Sequence, residues 1–257
     1  MESSIVWITG ASSGIGAEMA REVAKRGHIP ILTARSLPAL QQIARSIPGP
    51  SGVYQMDVTQ EEDVTRVVQQ IMTDWKCIDV CINNAGFGVF KSVEETTMEE
   101  IQSMMNVNYT GLVRCTKAVL PAMRSRGKGH VINIASLAGK VGTAKSAGYA
   151  ATKHAVIGFS SALRQELRGS GIRVSLVNPG PIETPFFHIA DPDGTYVNNL
   201  PKWMLLKPEK VAQRVVAIIG SNRLELNLPF YSGWAAKFAL LFPRFFDRWM
   251  SRMVNRK

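Results

Sequence analysis

The chain has 257 residues, of which 46% are hydrophobic and 19% charged, and 30 Lys and Arg against 20 Asp and Glu give a net charge of +10. This balance excludes a disordered or collagen-like chain and fits one large globular domain. Three cysteines without a CxxC pair and four scattered histidines favour a reducing compartment and argue against a disulfide framework or a metal site. No signal-peptide pattern and no apolar run of about 18 residues occur, so we expect a cytoplasmic protein without a spanning helix.

Short apolar runs alternate with amphipathic stretches before residue 180. The predicted strands are Ile5–Thr9, Ile29–Ala34, Val53–Met56, Ile78–Asn83, Gly129–Ala135 and Arg173–Asn178. The predicted helices are Ile15–Arg26, Leu37–Ser46, a helix capped by Thr59 and Glu62 that ends near Trp75, Thr97–Arg126 with a bend before Pro121, and Tyr149–Arg168. Because these strands are apolar on both faces, they predict a parallel sheet covered by helices on each side. Right-handed crossovers make this a three-layer, doubly wound α/β fold, here in a single domain.

The pattern changes after Pro179. Gly180–Lys207 is rich in Pro, aromatic, Asp and Asn residues, which predicts a long irregular or partly helical insertion. A helix at Pro208–Ser221 and a short strand at Leu224–Leu228 come before an aromatic and basic tail at Tyr231–Lys257.

A glycine-rich turn, TGASSGIG at Thr9–Gly16, joins the first strand to the first helix. Glycines allow a tight turn and close approach to a phosphate, and the helix N-terminus offers free N–H groups to a pyrophosphate. The GxxxGxG spacing differs from the common dinucleotide motif, and a tight turn without a ligand is the alternative. The candidate cofactor-binding residues of this turn are Gly10, Ser12, Ser13, Gly14, Ile15 and Gly16.

The end of the second strand indicates which dinucleotide fits. NAD needs a carboxylate there for its ribose 2′-OH, but the chain has Ala34 followed by Arg35. A guanidinium suits a 2′-phosphate, and Ser12 and Ser13 are possible further donors. We therefore expect NADP(H), with a solvated Arg35 ahead of the next helix as the alternative.

Polar residues also follow the third and fourth strands. Asp57 is placed to accept the adenine amino group while Val58 packs on the ring, or Asp57 merely precedes a helix; the sequence leaves both open. Asn84 either contacts the cofactor or bridges neighbouring strand ends. Ala85 and Gly86 complete this candidate segment, and Gly86 permits close approach to a ligand.

Ser136, Tyr149 and Lys153 form the decisive candidate set. Ser136 follows the fifth strand, and the other two lie at i and i+4 on the next helix, so they share a face. A phenol is a poor acid or base at neutral pH, and a nearby ammonium lowers its pKa. Tyr149 is then able to exchange a proton with a carbonyl or alcohol oxygen that Ser136 holds. Taken alone, Tyr149 and Lys153 are more simply interpreted as a Tyr that packs through its ring and a Lys that faces solvent.

Together these motifs resemble the short-chain dehydrogenase/reductase family from Ile5 to about Pro185, roughly 70% of the chain. The resemblance rests on TGASSGIG at 9–16, NNAG at 83–86, Asn108 in NVNYTG, Ser136, YAATK at 149–153 and NPGPIET at 178–184. It implies a Rossmann-type fold with about seven parallel strands and hydride transfer between a nicotinamide and a carbonyl carbon.

The resemblance also implies residue roles. Tyr149 is the general acid in reduction and the base in oxidation, Lys153 lowers its pKa and holds the nicotinamide ribose, and Ser136 orients the substrate oxygen. Asn108 anchors a water that links Lys153 to solvent. The residues that border the nicotinamide are Pro179, Gly180, Ile182 and Thr184. Arg35 resembles the NADP-preferring branch, although Ser13 departs from members with a basic residue in the glycine turn. Members of this family commonly form dimers or tetramers, so the resemblance implies a homodimer or a homotetramer.

The segment 185–207 is expected to form a lid over the substrate. The apolar candidates for the pocket are Phe186, Phe187, Tyr196, Trp203, Met204, Leu205, Phe87, Val89, Leu137 and Val141. Apart from Lys140 and Lys145, no charged candidate suits an acidic substrate, so we expect an apolar ketone, aldehyde or acyl substrate. A 3-oxoacyl reductase, a general ketone reductase, an epimerase or dehydratase, and a regulatory protein that lost turnover remain open.

The tail at 231–257 lies outside the family motifs. Large apolar residues recur there at three- and four-residue steps, among six basic residues and one acid. One hypothesis is an interfacial helix on an anionic membrane. The alternative is a terminal helix that completes a subunit interface or caps the pocket. No nucleic-acid-binding module is present, and we expect no such partner.

Overall fold

The computed structural model describes residues 3–194, 196–197, 202–245 and 248. Seven parallel strands form one sheet in the order β3-β2-β1-β4-β5-β6-β7. The strands are β1 (Ile5–Thr9), β2 (Ile29–Ala34), β3 (Gly52–Gln55), β4 (Val80–Asn83), β5 (Gly129–Ile134), β6 (Ile172–Pro179) and β7 (Glu225–Leu228). This confirms the predicted α/β fold with its parallel sheet, in a single domain.

Helices cover both faces of the sheet. They are α1 (Gly14–Lys25), α2 (Leu37–Arg45), α3 (Glu61–Trp75), α4 (Met98–Met105), α5 (Leu112–Ser125), α6 (Ala147–Glu166), α7 (Phe186–Ala190), α8 (Pro208–Val216) and α9 (Ser232–Leu241). Alternate residues of β1 point to opposite sides, so Val6 and Ile8 pack with α1, α2 and α8, while Trp7 packs with α3, α5 and α6. No helix of the described part of the chain is long and apolar enough to cross a membrane.

The strand order reverses between β1 and β4, and this reversal positions the site. The carboxyl ends of both strands open at the same edge, where doubly wound sheets bind ligands. The glycine turn after β1 therefore lies against the segment after β4. A Cβ on Gly10 would come within 2.8 Å of Ala85 Cα, so the two segments touch through their main chains.

The predicted helical stretch from about Thr97 to Arg126 is helical throughout, but a π-helical segment at Asn106–Gly111 interrupts it between α4 and α5, and Pro121 lies inside α5. At this interruption Gly111 packs against Val58, where a Cβ would meet Val58 Cγ2 at 2.8 Å. The cap predicted for α3 is absent because the N–H and hydroxyl of Thr59 both donate to Asp57.

A capping box instead begins α4. There Thr97 accepts from the Glu100 N–H at 3.2 Å, and the Glu100 carboxylate accepts from the Thr97 N–H at 3.0 Å.

Candidate active site

A cavity of about 1400 Å³ runs along the carboxyl edge of the sheet. It exceeds the roughly 300–1,000 Å³ of a typical single-ligand pocket, so it has room for a cofactor and a second ligand. The predicted residues that line it are Gly10, Ser12, Ser13, Gly14, Ile15, Gly16, Arg35, Asp57, Val58, Asn84, Ala85, Gly86, Ser136, Tyr149, Lys153, Pro179, Gly180, Ile182 and Thr184. Asn108 is the one predicted site residue outside this lining.

The glycine turn forms one end of the cavity. A Cβ on Gly16 would lie 2.2 Å from the Gly10 carbonyl oxygen, so the turn closes only with glycine at this position. Ser13 is the N-cap of α1 but makes no capping hydrogen bond, and the first turn contains no acid. The first N–H groups of α1 and its positive dipole end are therefore left for an anion. This turn fits the pyrophosphate of a dinucleotide.

The end of β2 offers a cation and no carboxylate. Arg35 is exposed at the cavity, and within the described residues its guanidinium has no hydrogen-bond or ion-pair partner. Asp57 is the only acid among the described lining residues, and its Oδ1 already accepts from the N–H and hydroxyl of Thr59, both at 2.8 Å. Ser36, which sequence reasoning missed, also lines this end and caps α2 through Ala39.

Asn84 connects β4 to the glycine turn. Its amide nitrogen donates to the carbonyls of Thr9 at 3.0 Å and Gly10 at 3.1 Å. The Thr9 hydroxyl in return accepts from the main-chain N–H groups of Asn84 and Ala85. Of the two roles left open by the sequence, the bridging role is the one these contacts show.

Ser136, Tyr149 and Lys153 meet in the middle of the cavity. Lys153 is buried, and its Nζ lies 5.7 Å from the Tyr149 ring centroid and donates to the Ile134 carbonyl at 3.0 Å. Ser136 accepts from the Ala138 N–H at 3.1 Å and is within hydrogen-bonding reach of the Tyr149 phenol. The three side chains therefore line the same cavity as the glycine turn.

The pKa of Tyr149 differs from the sequence-based expectation. Burial raises it above the ordinary value, and the hydrogen bond with Ser136 opposes this only in part. Burial also lowers the pKa of Lys153 to about 8. Removing both groups from water disfavours the charged form of each. At neutral pH the phenol is therefore protonated and the lysine is largely charged.

Asn108 lies behind the cavity wall in the π-helical segment. Its Nδ2 donates to the Phe87 carbonyl at 2.8 Å and to the Thr152 hydroxyl at 3.0 Å, and its Oδ1 accepts from the Phe87 N–H at 2.9 Å. These bonds hold the segment after β4 against α6. The Asn108 side chain thus positions these two segments, and the water expected at Asn108 stays a prediction.

The other end of the cavity is aromatic. The Phe90 ring packs edge-on to Tyr149 with centroids 5.6 Å apart and stacks on Tyr196 at 4.5 Å. The ring centroids of Phe186 in α7 and Tyr149 are 5.7 Å apart, so this part of the predicted lid packs against the Tyr149 ring. Within the described part of this segment, Asp191 Oδ2 accepts from the N–H groups of Tyr196 at 2.8 Å and Val197 at 2.7 Å.

Most predicted pocket residues line this end. They are Phe87, Leu137, Val141, Phe186, Phe187, Tyr196, Trp203 and Met204. Val89 packs on the aromatic cluster without reaching the cavity, and Leu205 is outside the lining. Sequence reasoning missed Phe90, Ile189, Tyr231 and Ala235, which tertiary packing brings to the cavity.

Neither lysine singled out for an acidic substrate lines the cavity. Lys140 pairs with Glu225 instead. No group of three or more potential metal ligands occurs in the part of the chain that the structure describes.

Comparisons with known proteins agree with this geometry. The family model for short chain dehydrogenases matches residues 4–193. The chain belongs to this family. A 3-ketodihydrosphingosine reductase of Bacteroides thetaiotaomicron is 40% identical over 186 residues, covering 72% of this chain and 66% of the relative.

Two solved structures share the fold. The actinorhodin polyketide ketoreductase with NADPH has a TM-score of 0.81 and 31% identity, over 90% of this chain and 97% of that one. A 3-ketoacyl-(acyl-carrier-protein) reductase from Brucella melitensis with NADH has a TM-score of 0.81 and 27% identity, over 88% and 97%. The short-chain dehydrogenase is thus an oxidoreductase, and these neighbours support a nicotinamide cofactor.

Proposed function

We propose that this short-chain dehydrogenase is an NADP(H)-dependent carbonyl reductase for apolar ketones or 3-oxoacyl compounds. The proposal rests on one observation: Ser136, Tyr149 and Lys153 line the same cavity as the glycine-rich turn and the aromatic cluster. The printed names of the similar proteins, ketodihydrosphingosine, polyketide and ketoacyl reductases, support a ketone attached to an apolar chain.

The residues take complementary roles in reduction. A bound nicotinamide supplies the hydride to the carbonyl carbon. Ser136 holds the carbonyl oxygen by a hydrogen bond, and Tyr149 gives its phenolic proton to that oxygen, so that the ketone becomes an alcohol. Lys153 keeps a positive charge near the phenol and thereby stabilises the phenolate left behind. Because burial keeps Tyr149 protonated, the phenol is able to donate its proton to the carbonyl oxygen at neutral pH.

Residues along the sheet edge would hold the cofactor. The N-terminus of α1 would bind the pyrophosphate, and Arg35 would bind the 2′-phosphate. The second carboxylate oxygen of Asp57 and the Val58 side chain would contact the adenine. The residues that would border the nicotinamide are Pro179, Gly180, Ile182 and Thr184. Thr184 lies next to the glycine turn, since a Cβ on Gly14 would lie 3.6 Å from the Thr184 methyl.

Phe87, Phe90 and Phe186 surround the reaction point with apolar surface. They exclude water from the phenol and select an apolar chain next to the carbonyl. Asn108 supports this arrangement by fixing the main chain of Phe87.

A carbonyl panel tests the proposal. Purified protein is incubated with NADPH or NADH and with ketones, aldehydes and 3-oxoacyl thioesters of increasing chain length, and cofactor absorbance is followed. We expect NADPH oxidation with kcat/KM rising along the apolar chain, while short acidic ketones react poorly. NADPH binding without turnover of any carbonyl would contradict the proposal and favour a regulatory protein.

A further inference from the structure

Helix α9 carries its small residues inward and its large apolar residues outward. Its buried positions are Ser232, Gly233, Ala236 and Ala239. Its solvent side carries Trp234, which is 72% exposed, and Leu241, which is 73% exposed. A surface helix of a globular protein normally shows the reverse arrangement.

Exposed apolar residues also precede and follow α9 along the chain. We call this surface the α9 face, and it consists of Phe230, Tyr231, Trp234, Phe238, Leu240, Leu241, Phe242 and Phe245. A contiguous exposed apolar surface of this kind marks an interaction site.

The charge around the α9 face indicates what covers it. Among the described residues from Tyr231 onward, Lys237, Arg244 and Arg248 are basic and none is acidic. Within the face, the Lys237 ammonium lies 5.0 Å from the Trp234 ring centroid. Large apolar residues interleaved with Lys and Arg fit the interface of an anionic bilayer. A symmetric contact with a second copy would bring these like charges together.

The α9 face adjoins the mouth of the active-site cavity. Tyr231 and Ala235 line the cavity and are exposed. Across the mouth, Trp203 and Ile189 also line the cavity and are 71% and 68% exposed. The apolar rim of the cavity and the α9 face are therefore continuous.

We propose that the α9 face docks on an anionic lipid bilayer and that the cavity takes its apolar carbonyl substrate from that bilayer. The second half rests on the proposed reductase function. Docking on the bilayer depends only on the α9 face and its positive charge, and not on the reductase function. In this position Trp234 and Phe238 lie among the lipid headgroups, Lys237 lies near the lipid phosphates, and the aromatic end of the cavity opens toward the acyl chains.

Vesicle co-sedimentation of the full chain tests docking without cofactor or substrate. The vesicles are phosphatidylcholine alone or phosphatidylcholine with phosphatidylglycerol. We expect binding to the anionic vesicles, weakened by high salt. The double variant Trp234→Asp with Phe238→Asp should bind at least about tenfold more weakly, because two large apolar side chains no longer enter the lipid.

A matched control distinguishes binding through the α9 face from nonspecific adsorption through any exposed apolar residue. Val93→Asp with Met98→Asp changes two apolar residues that are 69% and 61% exposed and lie outside the cavity lining. This control should bind anionic vesicles like the wild type. Wild-type protein that stays in the supernatant, or an α9 double variant that binds unchanged, would overturn the docking proposal. So would an α9 double variant that only turns an oligomer into a monomer in sedimentation velocity.

An activity comparison separates docking from the reductase proposal. The α9 double variant should reduce a short soluble ketone at the wild-type rate, since neither side chain lines the cavity. It should lose at least about tenfold in rate on a long-chain ketone carried in anionic vesicles. Equal rates on the vesicle-borne ketone would overturn delivery from the bilayer. Absence of turnover on both ketones, with docking intact, would count against the reductase proposal alone.

Discussion

At the scale of single residues, burial governs the chemistry of the site. Tyr149 and Lys153 share one face of α6, as their spacing predicts, yet the raised pKa of the phenol could not be predicted from that spacing. The pKa depends on how much water the lid and Phe90 exclude, which only the packed structure shows. Asn108 is a similar case, because its three hydrogen bonds to Phe87 and Thr152 arise from a π-helical segment without a clear sequence signal.

The pH dependence of reduction follows from these two residues. The raised pKa keeps Tyr149 protonated across the neutral range, whereas Lys153, with a pKa of about 8, loses its charge as the pH rises through that value. We expect the reduction rate at saturating NADPH to be flat near pH 6–7 and to fall above about pH 8. Alcohol oxidation should rise with pH, because it needs the phenolate. Initial rates in both directions check this, and a reduction rate that increases above pH 8 would disagree with it.

Arg35 determines cofactor preference in this account. Replacing it with Ala removes a charge-assisted contact to the 2′-phosphate, which contributes roughly 1.5–3 kcal/mol. Arg35→Ala should therefore raise the Kd of NADPH about 10- to 100-fold and leave that of NADH nearly unchanged, as measured by fluorescence titration. Arg45→Ala, at the exposed end of α2 outside the cavity lining, is the matched control. Equal losses for both cofactors would show that Arg35 does not bind the 2′-phosphate.

At the scale of elements, apolar runs bounded by polar residues proved to be the most reliable signal. Ile5–Thr9 and Ile29–Ala34 were predicted with the observed bounds, because each is a continuous buried run that ends in polar sequence. Their carboxyl ends then bring the motif residues to one edge. The position of α9 beside the cavity was not predictable, since it depends on how the chain returns after β7.

Asp191 ties the end of α7 to the described residues that follow it in the predicted lid. Asp191 is buried and accepts from two main-chain N–H groups, so Asp191→Ala leaves these donors unpaired at a cost of about 1–3 kcal/mol. We expect a lower Tm and a several-fold higher KM for the carbonyl substrate, with the Kd of NADPH unchanged. Asp193→Ala, at an exposed position two residues further on, should have neither effect. An unchanged KM in Asp191→Ala would show that these bonds do not order the lid.

At the scale of the whole molecule, the reversal of strand order between β1 and β4 creates a single cavity with two chemically different ends. One end has a helix N-terminus and Arg35, and the other has aromatic rings under a lid. Ser136, Tyr149 and Lys153 lie where these ends meet. A dinucleotide phosphate and an apolar chain are thereby directed to the same reaction point, and the exposed α9 face continues the apolar end to the surface.

The most direct test of the account is the kinetics of Tyr149→Phe, which removes only the phenolic hydroxyl. The matched control is Tyr109→Phe, at a residue outside the cavity lining. We predict that Tyr149→Phe lowers kcat for the best ketone of the panel about 10²- to 10⁴-fold, the usual contribution of a general acid, and leaves the Kd of NADPH unchanged. Reduction by Tyr149→Phe at the wild-type rate would contradict the assignment of Tyr149 as the proton donor.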